Sequence, residues 1–193
     1  MKINFLVICA SLAIFSIVVG CKKDSNTSQP ATENTSTVKV NFSSTSAFTF
    51  FSFKNNVVVA NTDSVSSNWD FGLRLTTFLV NSHASGPGNA GVIMQDGIFD
   101  NVLSAPATGY AYDTASNKLA IKDGTWYDYN TATRSFVPKA GKVFIFRTAD
   151  NKYAKMEILE ATYDPFVGQV PEKINYRIRF IYQADGSVNL QKQ

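Results

Sequence analysis

Alternation of apolar and polar residues with a period of two recurs along the whole chain beyond residue 38, and it constrains the fold more than any other feature. Side chains on a strand point alternately to opposite faces, so a run that repeats every second residue buries one face of a sheet and leaves the other to solvent or a second layer. Val38-Lys39-Val40-Asn41-Phe42, Ala47 to Phe53 and Val57 to Ala60 are short runs of this kind, rich in β-branched and aromatic residues. "NWDFGLRLTTFLV" follows, and its spacing predicts one face carrying Trp69, Phe71, Leu73 and Leu75 and the other Asp70, Gly72 and Arg74. "GKVFIFRTADNKYAKMEILEA" contains two such runs joined at Ala149-Asp150-Asn151, where Asp and Asn tolerate the left-handed backbone of a tight hairpin. "INYRIRFIYQADGSVNL" repeats the scheme with Asp185-Gly186 as its turn, and Asp-Gly pairs at 96–97 and 123–124 mark two more. No segment sustains a helical period, although "DNVLSAPATGY" has room for one short turn. These patterns predict a single all-β domain over 38–193, built of many short, mainly antiparallel strands. A sandwich and an open barrel both satisfy them.

The N-terminal residues obey different rules. Residues 1–20 carry a single charge, Lys2, ahead of an apolar run from Phe5 to Val19. That run is shorter than the ~20 residues of a spanning helix and reads as a secretory signal peptide. It closes on Val18-Val19-Gly20-Cys21, which resembles the lipobox of bacterial lipoproteins and predicts lipidation of Cys21. The other cysteine, Cys9, lies in the signal segment, so no thiol is left for a disulfide, a zinc site or a nucleophile. Acyl chains contribute ~0.8 kcal/mol per buried CH₂, enough for stable membrane attachment when more than one is present. Residues 21–37 are polar, with almost no large apolar side chain, and read as the lipidated cysteine followed by a flexible tether. Lys22-Lys23-Asp24 fits either a surface-export signal of Bacteroidetes lipoproteins or simple solubilising charge. Without Lys2 there are 17 basic and 15 acidic side chains, a net charge of +2 that suggests no nucleic-acid partner.

"HASGPGNAGVIM", residues 83 to 94, contains the spacing G-x-G-x-x-G in Gly86, Gly88 and Gly91. A dinucleotide cradle requires a helix after these glycines, whereas Pro87 interrupts the loop and Val92-Ile93-Met94 continues as a strand. Asp70-Phe71-Gly72 spells the magnesium-binding triplet of kinases but precedes the glycine loop, the reverse of the kinase order. Turn geometry accounts for Asp96, Asp123, Asp150 and Asp185. With one histidine, no thiol and no Gly-x-Ser-x-Gly elbow, nucleophilic catalysis has no obvious cast; acids paired by folding stay open, and the chain reads as a binding protein rather than an enzyme. Ligation of a soft or borderline metal remains, with His83 and Met94 as candidate cofactor-binding and metal-ligating residues. Haem is the natural cofactor, since a six-coordinate haem needs only two protein ligands and an apolar, aromatic cleft supplies the remaining affinity. Met156, in line with Ala154 and Ile158, reads as core.

"SNWDFGLRLTTFLVNSHASGPGNAGV", "GKVFIFRTADNKYAKMEI" and "YRIRFIYQADGS" together resemble the HmuY family of haem-binding lipoproteins in Bacteroidetes, over nearly the whole mature domain. The markers are the Trp-Asp strand, the Gly-Asn-Ala-Gly loop and the Arg-Thr-Ala-Asp hairpin continuing into Tyr-Ala-Lys. The resemblance implies an all-β fold, lipid anchoring at the outer membrane with exposure at the cell surface, haem capture for iron acquisition, and delivery to a TonB-dependent receptor. It also implies two axial ligands, a histidine pair or methionines. A single histidine departs from the first pattern, leaving His83 with Met94, a methionine scheme using Met94, or no iron ligation. A regular hairpin about the glycine loop would place residues 83 and 94 opposite one another with Cβ atoms ~5 Å apart. That is too close for ligands on opposite sides of one iron unless the strands splay. Met ligation would favour ferrous over ferric haem, sulfur being the softer donor. The alternative function is an HmuY-like module that has lost haem or binds another ligand, as an accessory to a nutrient transporter. An exposed sheet edge offers a surface for homo-oligomer formation.

Overall fold

The computed structural model describes residues 31–192. Its strands are β1 (Glu33–Asn41), β2 (Thr49–Ser52), β3 (Val57–Val59), β4 (Phe71–Arg74), β5 (Thr77–Val80), β6 (Gly91–Asp96), β7 (Tyr127–Asn130), β8 (Ser135–Pro138), β9 (Lys142–Arg147), β10 (Tyr153–Tyr163), β11 (Phe166–Val167), β12 (Val170–Pro171) and β13 (Lys173–Gln183). Two single 3₁₀ turns, Asn61–Asp63 and Phe99–Asn101, are its helical elements, and the second occupies the stretch where one short turn is expected. A five-stranded sheet in the order β1-β13-β10-β9-β6 faces a four-stranded sheet in the order β3-β2-β4-β5. Every pairing between named strands is antiparallel. The architecture is thus a sandwich, with two small hairpins, β7–β8 and β11–β12, added to it.

Alternation explains how the layers meet. Val38, Val40, Phe144, Phe146, Ala154, Met156, Ile178 and Phe180 point inward from one sheet, and Phe51, Phe71, Leu73, Phe78 and Val80 from the other. Ring centroids of Phe53 and Phe146 lie 5.0 Å apart, and those of Phe78 and Phe144 5.5 Å, joining the layers through aromatic contacts. Met156 is fully buried in this core, where the sequence puts it. On the outer face of the five-stranded sheet, Phe99, Val102, Ala105 and Leu190 cover Val143, Ile145 and Ile181. The buried Lys155 emerges on that face, and its Nζ donates to the carbonyls of Phe99 (2.9 Å) and Val102 (2.8 Å), fixing the 3₁₀ turn to the sheet. Burial pushes its pKa down.

Two local features differ from the sequence expectation. Strand pairing begins at Glu33, inside the 21–37 stretch whose composition reads as tether: Glu33 pairs with Ile181 and Thr37 with Arg177. The polar residues of this edge strand are held by main-chain hydrogen bonds to β13, an attachment that composition does not register. The signal segment and Cys21 lie outside the described residues. The run "NWDFGLRLTTFLV" is also a hairpin rather than one strand, because Arg74 pairs with Thr77 and Leu75 turns the chain with a φ of +50°. No Gly, Asn or Asp marks this turn. A tertiary contact holds it instead, with Tyr176 Oη donating to the Leu75 carbonyl at 3.0 Å. The predicted face breaks at its start as well. Trp69 packs on Phe50 at 4.5 Å, apart from the main core, while Asp70 is buried.

Candidate functional site

The glycine loop is built around one buried amide. Asn81, immediately after β5, donates from Nδ2 to the carbonyls of Trp69 (2.7 Å) and Ser66 (3.0 Å), and its Oδ1 accepts from Gly88 N (2.8 Å). A Cβ on Gly86 would approach Trp69 Cζ2 to 2.8 Å, and one on Gly88 would approach the Asn81 carbonyl oxygen to the same distance. Neither glycine has a left-handed φ. Their role is to admit the backbone against Asn81 and Trp69, and the loop is a packed plug rather than a hinge or a phosphate cradle. Ser82 and Asn89 bridge its ends.

The two predicted donors are separated by this arrangement. β6 leaves the loop and pairs with β9, Met94 opposite Phe144, so residues 83 and 94 are not partners in a hairpin. Val92 and Met94 face inward onto the main core, whereas Ile93 faces the outer cluster. Gly91 shares the outer face, where a Cβ would come within 2.6 Å of Tyr112 Cε1. His83 sits exposed on the turn after β5 with a φ of +43°, and its ring meets Tyr112 edge-on at 5.4 Å. His83 and Met94 therefore lie on opposite faces of β6, and the structure does not bring them together. Among the described residues no group of three or more His, Cys, Asp or Glu side chains could hold a metal ion.

Tyr112 belongs to a groove of about 600 Å³ formed by the segment 111–123 and Thr77. Its lining includes Tyr112, Leu119 and Ile121, with charge supplied by Lys118, Lys122 and Asp123. Asp113, fully buried, gives this segment its shape. Its Oδ2 accepts from Val80 N (2.8 Å) and Ser85 Oγ (2.7 Å), and its Oδ1 from Ala120 N (2.7 Å). One carboxylate thus joins the end of β5, the glycine loop and both arms of the groove loop. Ala111 continues the five-stranded sheet by pairing with Val92. Tyr110 and Tyr112 then stand over Gly91, and the Arg147 guanidinium lies 5.4 Å from the Tyr112 ring centroid. Burial pushes the Tyr110 phenol up to about 12.

A second polar pocket, about 300 Å³, is lined by Ser52, Lys54, Asn68, Asp70 and Asp150. Asp70 accepts from Phe53 N and Ala149 N, each at 2.8 Å, and ties the two sheets together. Burial pushes its carboxyl up to about 6 despite these two N–H donors. Neither Tyr112 nor Asp113 stands out in the sequence. The one signal for them is that Asp113 follows Tyr110-Ala111-Tyr112 with no Gly beside it, where a turn role is less natural than at Asp-Gly pairs.

No family model matches the chain, and no curated protein matches it. Similar solved structures exist. One is a protein from Bacteroides vulgatus described as HmuY-like and haem-binding, with 15% identity over 77% of this chain and 92% of that one, and a TM-score of 0.48. Another is the apo form of an HmuY analogue from Tannerella forsythia, with 12% identity over 77% and 96% and a TM-score of 0.49. A third is a protein from Bacteroides fragilis described as a lipoprotein, with 14% identity over 77% and 91% and a TM-score of 0.49.

Proposed function

We propose that this protein is a lipid-anchored, outer-membrane haem-binding protein that captures haem at the cell surface and passes it to a TonB-dependent receptor without altering it. The observation that carries the reading is the groove of about 600 Å³ next to Tyr112, within the size range of small-molecule sites and lined by Tyr112 and Leu119, by Lys118 and Lys122, and by polar side chains that include Asp123. Leu119 and the Tyr112 side chain offer contact to a flat apolar ring, and Lys118 and Lys122, with Asp123 beside them, suit a ligand that carries carboxylates. The sequence resemblance to HmuY proteins and the lipobox ending at Cys21 support the same reading. Haemin titrated into the purified protein should give a shifted Soret band and saturable one-to-one binding. Broadening without saturation would refute it.

A second reading is favoured by the separation of His83 and Met94 on opposite faces of β6. An HmuY-like module lacking a ligand pair would hold a different molecule in this groove, as an accessory to nutrient transport. The same titration separates the two, since this reading expects only weak, nonspecific haemin binding.

A further inference from the structure

We propose that the polar pocket between the β2–β3 and β9–β10 turns binds a neutral sugar, independently of the haem reading above. Every side chain lining this space of about 300 Å³ can donate or accept a hydrogen bond, and none belongs to the groove of residues 111–123. The lining comes from loops set on the rigid sandwich: Asn55 follows β2, Ser67 and Asn68 precede β4, and Asp150 sits between β9 and β10. Asn55, Ser67 and Asn68 are exposed, and among the described residues their side chains have no hydrogen-bond partner. Asp150 is fixed before any ligand arrives. Its Oδ1 accepts from Thr148 Oγ1 (2.7 Å) and its Oδ2 from Tyr182 Oη (2.9 Å). A carboxylate has about four acceptor sites, so Asp150 keeps capacity for a hydroxyl.

The charges of the pocket select the ligand class. Lys54 Nζ lies 3.7 Å from Asp150 Oδ2, and this ammonium repels a metal ion, while the carboxylates of Asp70 and Asp150 repel a phosphate or another anion. An apolar ligand would strip water from the lining without replacing its hydrogen bonds. An uncharged molecule that donates and accepts on several sides is left, and hydroxyl groups do both, as do the amides of Asn55 and Asn68. The volume stands at the low end of the ~300–1,000 Å³ of small-molecule sites, which suits a single sugar ring. A neighbouring pocket of about 240 Å³ is also polar, with Asn34, Asn56 and Gln183 in its lining. Lys54 lines both pockets, and the Tyr182–Asp150 hydrogen bond joins their walls, so a second ring can extend across Lys54.

The test titrates the whole mature protein, followed by amide NMR, with maltose, cellobiose, lactose, mannobiose and N,N′-diacetylchitobiose, and with glucose and glucuronic acid as a neutral and anionic pair. At least one neutral disaccharide should bind saturably with a Kd of about 1 mM or tighter, and the shifts should centre on residues 52–56, 67–70 and 150. Asn55→Ala and Asn68→Ala remove exposed side chains that hold no other described residue, so both variants should keep the wild-type Tm. Each should bind that disaccharide ~3–10-fold more weakly, the span expected for one lost hydrogen bond. Glucuronic acid should bind no more tightly than glucose. Absence of saturable shifts with all five disaccharides, shifts centred outside this pocket, or wild-type affinity in both variants overturns the site. Tighter binding of glucuronic acid than of glucose overturns the assignment to a neutral ligand.

Discussion

Replacing Asp113 by alanine should loosen the groove and destabilise the whole domain, because one buried carboxylate serves three donors from three segments. Val80 N–H is buried at the end of β5, and without its acceptor it bears a desolvation cost of ~1–3 kcal/mol. Ala120 N–H and Ser85 Oγ–H are part-buried and can recover some hydration, so each loses less, on the order of 0.5–1.5 kcal/mol. The sum is a loss of about 2–6 kcal/mol. For a domain of this length each kcal/mol lowers Tm by ~2–4 °C, so the expected fall is roughly 4–24 °C. Asp113→Asn keeps one acceptor oxygen but turns an NH₂ toward a donor, and should recover part of the loss at most. Urea unfolding and calorimetry measure the global effect, and amide exchange at Val80 and Ala120 measures the local one. A loss below ~1 kcal/mol, or an Ala120 amide still protected as in the wild type, would show that this carboxylate does not hold the groove loop.

Asp70 gives a pH dependence whose sign follows from its buried carboxyl. Its folded pKa, about 6, lies above the ordinary 3.8, so the folded state holds the proton more tightly. The stability from this group is complete below about pH 4 and is lost as pH rises toward about 6. At ~1.4 kcal/mol per unit of difference the loss is about 3 kcal/mol, and Asp70→Asn should remove that slope from a series of urea titrations; an identical slope would contradict the burial argument. Gly88→Ala should destabilise by ~1–3 kcal/mol through overpacking against Asn81, read by thermal unfolding, and a neutral outcome would mean that the loop is not the packed plug described above. Met94→Ala should leave the Soret band of a haem complex unchanged. It should cost stability of about 1–2 kcal/mol, below the ~2–5 kcal/mol of a fully buried methionine. A displaced Soret band would return Met94 to the site.

Much of the fold was legible because the alternation is strong wherever a strand faces the core. The β9–β10 hairpin is fixed by Val143 to Arg147, by Tyr153 onward and by Asn151, whose φ of +61° is the left-handed backbone its residue type suggests. The Leu75 turn was hidden because what holds it is the hydroxyl of Tyr176, a hundred residues away in sequence but adjacent in space. Glu33 to Thr37 were hidden because an edge strand is held by its partner's backbone, whatever its side chains. The site was the least legible part. The glycine spacing reads as a ligand loop, yet its cause is close packing on Asn81, and a regular hairpin pairing residues 83 and 94 does not form because β6 crosses to the other sheet to pair with β9. Tyr112 gained its meaning only when the chain returned over Gly91.

The most direct test of a haem site in this groove is NMR mapping with gallium(III) protoporphyrin, a diamagnetic stand-in for ferric haem that leaves amide signals observable. Saturable shifts centred on Thr77 and residues 111–123, with Met94 and Asp70 unmoved, are the predicted result. Shifts centred elsewhere, or none at saturating porphyrin, would contradict it.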